Sequence, residues 1–217
     1  MNIRNFAIAA AFSAVAAFAQ VGPFADSAFQ VKYASNLAIG DSVINFSNAG
    51  TSSTDSGIGA GGAQNGDICA NVYAYSPDEQ LVSCCSCNVT PNALNSLSVK
   101  NDLASNTLTP IIPSALVIKV LATAGGSLCT SSKAASVSAA DLRVGLLAWG
   151  TTIHALPVTA GTPATTYGVT ETAFSTPSLS DSERIRMTQL CAFIRANGSG
   201  YGICKSCKVG GLGSSSK

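Results

Sequence analysis

Apolar and polar residues alternate in several short runs of the chain, and this pattern predicts β-strands. The first run starts at Phe29, where Phe29, Val31 and Tyr33 alternate with Gln30 and Lys32. Because side chains on a strand repeat every two residues, the three apolar residues share one face and the two polar residues share the other. We expect a half-buried strand here.

Further strands are predicted at residues 42–48, 67–76, 79–89, 94–100, 114–123, 140–154 and 167–175. The runs on either side of Ser76-Pro77-Asp78-Glu79 form a hairpin, because Pro presets the second turn position and Asp suits the third. The run at 114–123 is almost continuously apolar, which is typical of a central strand covered on both faces. The run at 140–154 is ambiguous, but its glycines and its Thr-Thr-Ile end favour a strand over a helix.

One helix is predicted, at residues 180–196. Ser180 and Glu183 have the spacing of a capping box, in which each side chain binds the other residue's backbone N–H. Asn197-Gly198 supplies a left-handed stop at the other end. Cys191 lies on or beside the apolar stripe of this helix.

About seven to nine short strands and one helix near the C-terminus indicate an all-β fold. We predict a disulfide-stabilised β-sandwich of the immunoglobulin-like or jelly-roll type, with its body at residues 67–207. Residues 20–48 form an N-terminal strand segment, which is a candidate for exchange between molecules. Residues 49–66 are a Gly- and Ser-rich loop, and residues 208–217 are a disordered tail.

The first 19 residues have the features of a secretory signal peptide. Arg4 provides the positive end, residues 6–18 are apolar, and Ala17-Phe18-Ala19 fits the small-x-small cleavage pattern. The apolar run is shorter than the ~20 residues that a membrane-spanning helix needs. We expect export and a mature chain starting at Gln20; removing 19 of the 217 residues leaves 198, enough for one domain with a core.

The mature chain carries few charges and no net charge. Removal of Arg4 leaves 11 of the 12 basic residues to balance the 11 acidic ones. Charged residues are 11 % of the chain, against about 25 % in ordinary domains. Such a surface offers no phosphate-binding field, so nucleic acid is excluded as a partner. It also lacks the self-repulsion that keeps molecules apart, which permits self-association.

The chain has an even number of cysteines behind a predicted signal peptide, which is typical of disulfides. The eight residues predicted to form up to four disulfides are Cys69, Cys84, Cys85, Cys87, Cys129, Cys191, Cys204 and Cys207. Eight cysteines allow 105 pairings, and the sequence does not choose among them. Because Cys84 and Cys85 are adjacent on a predicted strand, one is expected to point into the core and the other outward.

Two other uses of the cysteines compete with structural disulfides. Cys85-x-Cys87 and Cys204-x-x-Cys207 have spacings that fit a four-thiolate zinc site. Cys204-Lys205-Ser206-Cys207 also has the spacing of a thiol–disulfide oxidoreductase motif, but it follows a glycine run instead of opening a helix. An oxidising compartment favours disulfides over both. We therefore predict neither a metal site nor a cofactor.

The sequence contains no convincing catalytic constellation. His154 is the only histidine, and no G-x-S-x-G elbow accompanies it. The three glutamates form no obvious pair for glycoside hydrolysis. We predict that the protein is not an enzyme. Tyr73, Tyr75 and Trp149 are candidates for a sugar-stacking platform, although tyrosines in strands are more often ordinary packing residues.

The stretch at residues 68–99, ICANVYAYSPDEQLVSCCSCNVTPNALNSLSV, carries a resemblance. Together with the later Asn-Thr-Leu-Thr-Pro, this stretch resembles uncharacterised secreted bacterial proteins with a Cys-Cys-Ser-Cys core. The resemblance is best over residues 68–121. The resemblance implies export and a bacterial source, and it implies no activity.

Together these features predict a secreted structural subunit of an extracellular filament, pilus-like fibre or surface matrix. Its partner is another copy of itself, joined through β-strand contacts at the face of Phe29, Val31 and Tyr33. The alternative is a secreted carbohydrate-binding or adhesive module that binds a polysaccharide or cell-surface component through its aromatic residues. In both cases the predicted location is extracellular, at the cell surface.

Overall fold

The structure is a computed structural model that describes residues 27–51, 66–109, 111–155, 167–205 and 207–209. The predicted signal peptide, most of the predicted Gly- and Ser-rich loop and residues 210–217 lie outside the described residues. In chain order the strands are β1 (Phe29–Ala34), β2 (Val43–Asn48), β3 (Ile68–Tyr75), β4 (Leu81–Val89), β5 (Leu94–Ser98), β6 (Leu116–Ala124), β7 (Leu146–Ala155), β8 (Tyr167–Ala173) and β9 (Lys208–Val209). The α-helix, α1 (Asp181–Ala196), lies between β8 and β9.

Two antiparallel sheets form a disulfide-stabilised β-sandwich, as predicted. The first sheet has the order β1-β6-β3-β4, and the second has the order β8-β7-β2-β5-β9. Only β3–β4 and β7–β8 are neighbouring hairpins; from β1 to β7 every other consecutive pair crosses between the sheets. Such a sandwich depends on pairings between distant parts of the chain.

The main hydrophobic core lies between the two sheets. The first sheet contributes small and β-branched residues such as Val72 and Ile118, and the second sheet contributes larger ones such as Phe46 and Leu97. All four of these side chains are fully buried. The strand β6 lies between β1 and β3 and supplies side chains to both of its faces, which confirms the prediction of a covered central strand.

A second hydrophobic cluster covers the outer face of the first sheet. The helix α1 packs there through Met187, Cys191 and Ile194. Tyr73 and Leu121 receive these side chains from the sheet. The molecule therefore has three layers on this side, and the first sheet is buried on both faces.

The helix begins where the sequence predicts, but its cap differs in one respect. The Ser180 hydroxyl accepts a hydrogen bond from the Glu183 backbone N–H at 3.2 Å. The Glu183 carboxylate instead pairs with the Lys119 ammonium on β6, at 2.5 Å. A long-range ion pair thus takes the place of the second half of the predicted capping box.

The strand β1 is oriented opposite to the expectation from its pattern. Gln30 and Lys32, predicted on the polar side, are buried between the sheets, while Tyr33 is 57 % exposed. The Gln30 amide donates to the Leu146 carbonyl at 2.5 Å and accepts from the Ala148 N–H at 3.1 Å. These bonds satisfy the amide where β1 and β7 meet, so a polar side chain can face inward.

Two predicted boundaries also change. The strand β7 begins only at Leu146, since residues 139–141 form a short 3₁₀ turn. Lys208 and Val209, which we placed in the disordered tail, pair with Ser96 and Asn95 of β5. The tertiary pairing with an available sheet edge overrides the Gly- and Ser-rich composition that follows. No helix within the described residues is long and apolar enough to cross a membrane.

Candidate functional site

A short C-terminal segment connects the edges of the two sheets; we call it the strap (residues 202–205 and 207–209). The Cys84 N–H donates to the Gly202 carbonyl at 2.9 Å, and the Cys204 N–H donates to the Cys84 carbonyl at 3.4 Å. The Lys205 N–H donates to the Asp102 carbonyl at 3.1 Å. The strap then continues as β9, which pairs with β5. It therefore closes the open side of the sandwich between β4 and β5.

All eight cysteines form disulfides, as predicted, and two of the bridges fasten the strap to β4. Cys85 pairs with Cys204 and Cys87 pairs with Cys207, with 5.4 Å between the Cα atoms in each case. Cys85 and Cys87 both point toward the core between the sheets, because they are two residues apart on one strand. Cys207 is exposed, so its bridge is the more accessible of the two.

The other two disulfides fasten the outer face of the first sheet. Cys84 pairs with Cys191 of α1, and their Cα atoms are 5.9 Å apart. Cys69 pairs with Cys129, in the loop after β6, at 5.3 Å. The expectation that Cys84 and Cys85 point to opposite faces is confirmed. These four bridges fit an oxidising, extracellular environment.

The two bridges under the strap bring three sulfur atoms close together, and the fourth, of Cys204, is bonded to one of them. The Sγ atoms of Cys85, Cys87 and Cys207 all lie within 4.8 Å of one another, and Cys204 is bonded to Cys85. These are the four cysteines whose spacing matched a zinc site. Among the described residues, this is the one group of three or more potential metal-binding side chains at such distances.

The structure does not assemble the aromatic platform. Tyr73 is fully buried on the outer face of β3 and donates its hydroxyl proton to the Ala134 carbonyl at 2.7 Å. Tyr75 is also buried, with the Lys119 ammonium 5.0 Å from its ring centre. Trp149 is half-buried on the second sheet. The two tyrosines are packing residues under α1, and no surface unites them with Trp149.

The surroundings of the two tyrosines also change their ionisation. Burial raises the pKa of the Tyr73 hydroxyl well above its ordinary value. Burial raises the pKa of Tyr75 too, and the nearby negative charge of Glu183 adds to the effect. Both side chains therefore stay neutral in the folded protein, which is consistent with a structural role.

The predicted assembly strand is already paired within the molecule. Phe29 is buried in the outer cluster and Val31 is half-buried beside it. Each residue of β1 is opposite a residue of β6, from Phe29–Leu121 to Ala34–Leu116. On the other side, Val31 exchanges two backbone hydrogen bonds with Ser175, at 2.8 and 2.9 Å. Only Tyr33 of the three predicted assembly residues presents a largely exposed side chain.

Among the described residues, the most open sheet edge is that of β8, which sequence analysis did not single out. Its side chains are exposed or half-exposed on both faces. The Phe174 N–H donates to the Ala148 carbonyl at 2.9 Å, which sets the ladder with β7. Because antiparallel residues alternate between inward and outward bonding, the backbone groups of Tyr167, Val169, Glu171 and Ala173 point away from β7. Within the described part of the chain, these groups have no backbone partner.

A sequence signal for this edge does exist. The β8 sequence, Tyr-Gly-Val-Thr-Glu-Thr-Ala, has polar or small residues on both faces, so neither face is suited to a core. Strands without an apolar face are typical of exposed edges. Which side of β8 remains open, however, depends on the order of the strands in the sheet.

Two other surface features are a groove and the single histidine of the sequence. A groove of about 410 Å³ lies between the β3–β4 turn and a segment made of Thr109 and residues 111–114, and the exposed Ile111 and Ile112 form part of its wall. His154 is half-buried on β7, opposite Gly168. Its side chain forms no hydrogen bond with another described residue.

Comparison with known proteins found no similar family, protein or structure: no protein-family model, no curated protein and no solved structure matches this chain.

Proposed function

We propose that this protein is an exported structural subunit that associates with copies of itself through the open edge of β8. The observation that carries the proposal is the outward row of backbone N–H and C=O groups at Tyr167, Val169, Glu171 and Ala173. An unpaired sheet edge is a template for adding another strand. Association through this edge adds backbone hydrogen bonds without unfolding either molecule.

The geometry is suited to a two-fold symmetric contact. If two β8 strands pair antiparallel around Thr170, Val169 of one copy lies opposite Glu171 of the other, and Tyr167 lies opposite Ala173. Outward-pointing residues then meet outward-pointing residues, as a hydrogen-bonded ladder requires. The two five-stranded sheets become one continuous sheet of ten strands.

The charge pattern supports association. Glu171 is the only charged residue of β8, and the predicted mature chain is neutral overall. Edge strands that avoid association usually carry several charges, a proline or a bulge. The strand β8 has one glutamate and no proline, and Val169 is 63 % exposed on it.

The edge of β8 is a better candidate than exchange of β1. Exchange requires β1 to leave its six-residue ladder with β6 and the backbone pair between Val31 and Ser175. Pairing through β8 leaves both intact. A symmetric β8 contact by itself closes into a dimer, so a fibre or matrix requires a second contact as well.

The alternative, a carbohydrate-binding or adhesive module, has less support. Its platform depended on Tyr73 and Tyr75, which are both buried. Binding to a polysaccharide would then depend on Trp149 without these two residues.

The test compares Val169→Lys with a matched control in the non-reduced mature protein. Leu128 is 61 % exposed, almost the same as Val169, but it lies in the loop after β6. Leu128→Lys therefore adds the same charge at a similarly exposed position away from the edge. Sedimentation over a range of concentrations, with electron microscopy of the largest species, measures association.

We expect the wild type and Leu128→Lys to associate, and Val169→Lys to remain monomeric. Circular dichroism should show the same fold for all three proteins. A wild type that stays monomeric at every concentration would contradict self-association. Equal association of Val169→Lys and the wild type would exclude β8 as the contact.

A further inference from the structure

The two disulfides under the strap bring together four cysteines in a pattern that can serve a second purpose. We propose that, when these disulfides are reduced, Cys85, Cys87, Cys204 and Cys207 bind one Zn²⁺ between β4 and the strap. The site is independent of the β8 contact, which lies at the opposite edge of the second sheet.

Three of the four sulfur atoms already lie at distances close to those of a zinc site. Tetrahedral zinc has Zn–S bonds of about 2.3 Å, which places the four sulfurs roughly 3.8 Å apart. The Sγ atoms of Cys85, Cys87 and Cys207 already lie within 4.8 Å of one another. Sulfurs in a disulfide are about 2 Å apart, so each reduced pair has to separate by a little less than 2 Å. The Sγ atom of Cys204, which is outside this group of three, also has to turn toward Cys87 and Cys207.

The backbone holds the ligands in place without the disulfides. Cys85 and Cys87 belong to β4, which pairs with β3 along its whole length. Cys204 donates to the Cys84 carbonyl, and the next residue, Lys205, donates to the Asp102 carbonyl. After Cys207 the strap pairs with β5. Reduction therefore frees the sulfur atoms while hydrogen bonds continue to hold both sides of the site.

The four ligands come as two chelating pairs. Cys85 and Cys87 are two residues apart on one strand, so both side chains point to the same face. Cys204 and Cys207 have the Cys-x-x-Cys spacing that structural zinc sites use. The remaining cysteines do not compete, because Cys84 faces α1 on the other side of β4.

Two lysines lie next to the ligand cysteines in the sequence, and the zinc site itself would be negatively charged. Zinc with four thiolates carries a net charge of −2, which follows from one Zn²⁺ and four S⁻. Lys205 is exposed between Cys204 and Cys207 in the chain, and Lys208 follows Cys207 directly. In the sequence, two lysines are thus adjacent to the cysteines that would carry the doubly negative centre.

A phosphine supplies the electrons that reduce the two disulfides. Each disulfide reacts with one phosphine and one water to give two thiols and one phosphine oxide. The four thiols then bind Zn²⁺ and release four protons, while the zinc keeps its oxidation state. The strap is thus crosslinked by disulfides under oxidising conditions and by zinc under reducing conditions, so that the same closure of the sandwich is kept in both.

The experiment uses the full mature chain, reduced anaerobically with a water-soluble phosphine and titrated with Co²⁺. Cobalt replaces zinc in tetrahedral thiolate sites and gives visible absorption that zinc removes. We expect one Co²⁺ per chain, displaced by one Zn²⁺. Zinc should also raise the melting temperature of the reduced protein, because it binds the folded state.

Two double variants separate this site from unspecific thiol binding. Cys87→Ser/Cys207→Ser removes two ligands, and we expect its affinity for Co²⁺ to fall by more than about 100-fold. Loss of a residue that only hydrogen-bonds to a metal ligand already lowers metal affinity by about 10- to 100-fold. Cys69→Ser/Cys129→Ser removes the same number of thiols elsewhere and should bind normally.

Far-UV circular dichroism of each reduced protein shows whether it is folded. The proposal is overturned if the reduced wild type binds no Co²⁺ or if Cys87→Ser/Cys207→Ser binds as tightly as the wild type. Binding that occurs only after the native spectrum is lost would also overturn it, because the site is argued from the folded geometry.

Discussion

Cys84 and Cys85 are adjacent in the sequence, yet they fasten opposite faces of the first sheet. Cys84 is bonded to Cys191 and fastens α1 to the outer face, whereas Cys85 is bonded to Cys204 and fastens the strap at the inner face. Because neighbouring side chains on a strand point in opposite directions, two consecutive residues connect three layers of the molecule. The strand β4 therefore carries the disulfides that hold both α1 and the strap.

Replacing both Cys84 and Cys191 by alanine should release α1 from the sheet. The bridge joins residues 107 positions apart, and loops of this length are expected to contribute about 2 to 5 kcal/mol to the free energy of unfolding. Urea denaturation measures the loss, and limited proteolysis locates it. We expect new cleavage within α1 under native conditions.

Cys69→Ala/Cys129→Ala is the control for this variant, because it removes a bridge across 60 residues that includes no residue of the helix. It should lower the free energy of unfolding by a similar amount without making α1 sensitive to protease. Protection of α1 in both variants would show that helix packing does not depend on the Cys84–Cys191 bridge.

Gly202→Ala should destabilise the strap more than Gly198→Ala destabilises the end of α1. Both glycines have a left-handed backbone, with φ of +75° and +68°. A Cβ atom on Gly202 would lie 2.6 Å from Cγ2 of Ile194, whereas a Cβ atom on Gly198 would meet nothing within 4 Å. Gly198→Ala should lower the free energy of unfolding by about 1 kcal/mol because of the left-handed backbone conformation alone.

The steric conflict at Gly202 should add about 1 to 3 kcal/mol to that cost, because Ile194 is buried in the outer cluster and cannot move freely. Chemical denaturation of the two variants measures both values. Equal losses would show that the strap shifts to accommodate the added methyl group.

The buried tyrosines should make the protein less stable at alkaline pH. Burial raises the pKa of Tyr73 and Tyr75 in the folded state, whereas the unfolded chain ionises near pH ~10. Their stabilising contribution is therefore complete below about pH 10 and is lost as the pH rises above it, by up to about 1.4 kcal/mol per pH unit for each tyrosine.

Urea denaturation between about pH 9 and about pH 11 measures this slope. Tyr73→Phe/Tyr75→Phe should have a shallower slope, while Tyr33→Phe, at an exposed position, should keep the slope of the wild type. A wild-type stability that does not change over this range would contradict the burial of both hydroxyl groups.

Replacing Lys32 by methionine should leave the protein as stable or make it more stable. Lys32 is 7 % exposed between the sheets and donates a hydrogen bond to the Thr172 hydroxyl. No carboxylate of the described residues forms an ion pair with it. Burial lowers the pKa of this lysine, because the charged form loses hydration.

Methionine fills a similar volume without a charge to desolvate, so we expect the free energy of unfolding to rise by up to about 2 kcal/mol. Lys205→Met, at an exposed position, is the control and should change stability by less than about 0.5 kcal/mol. A clear loss of stability in Lys32→Met would show that the ammonium group makes a favourable interaction in the folded protein.

The sequence by itself determined the local structure of several elements and which side chains of a strand share a face. The β3–β4 hairpin and the start of α1 at Ser180 follow from turn and cap chemistry within a few residues. The opposite orientation of Cys84 and Cys85 follows from the period of a strand. Each of these features depends on neighbours in the chain, so a single sequence contains the information.

Only the tertiary structure decided which elements meet. The four disulfides join residues 60 to 120 positions apart, and no local pattern selects one of 105 pairings. The inward orientation of Gln30 depends on Leu146 and Ala148 across the sandwich. The open edge of β8 depends on the order of strands in the second sheet. These features arise from long-range pairing, because the most stable set of contacts belongs to the whole chain and not to any single segment.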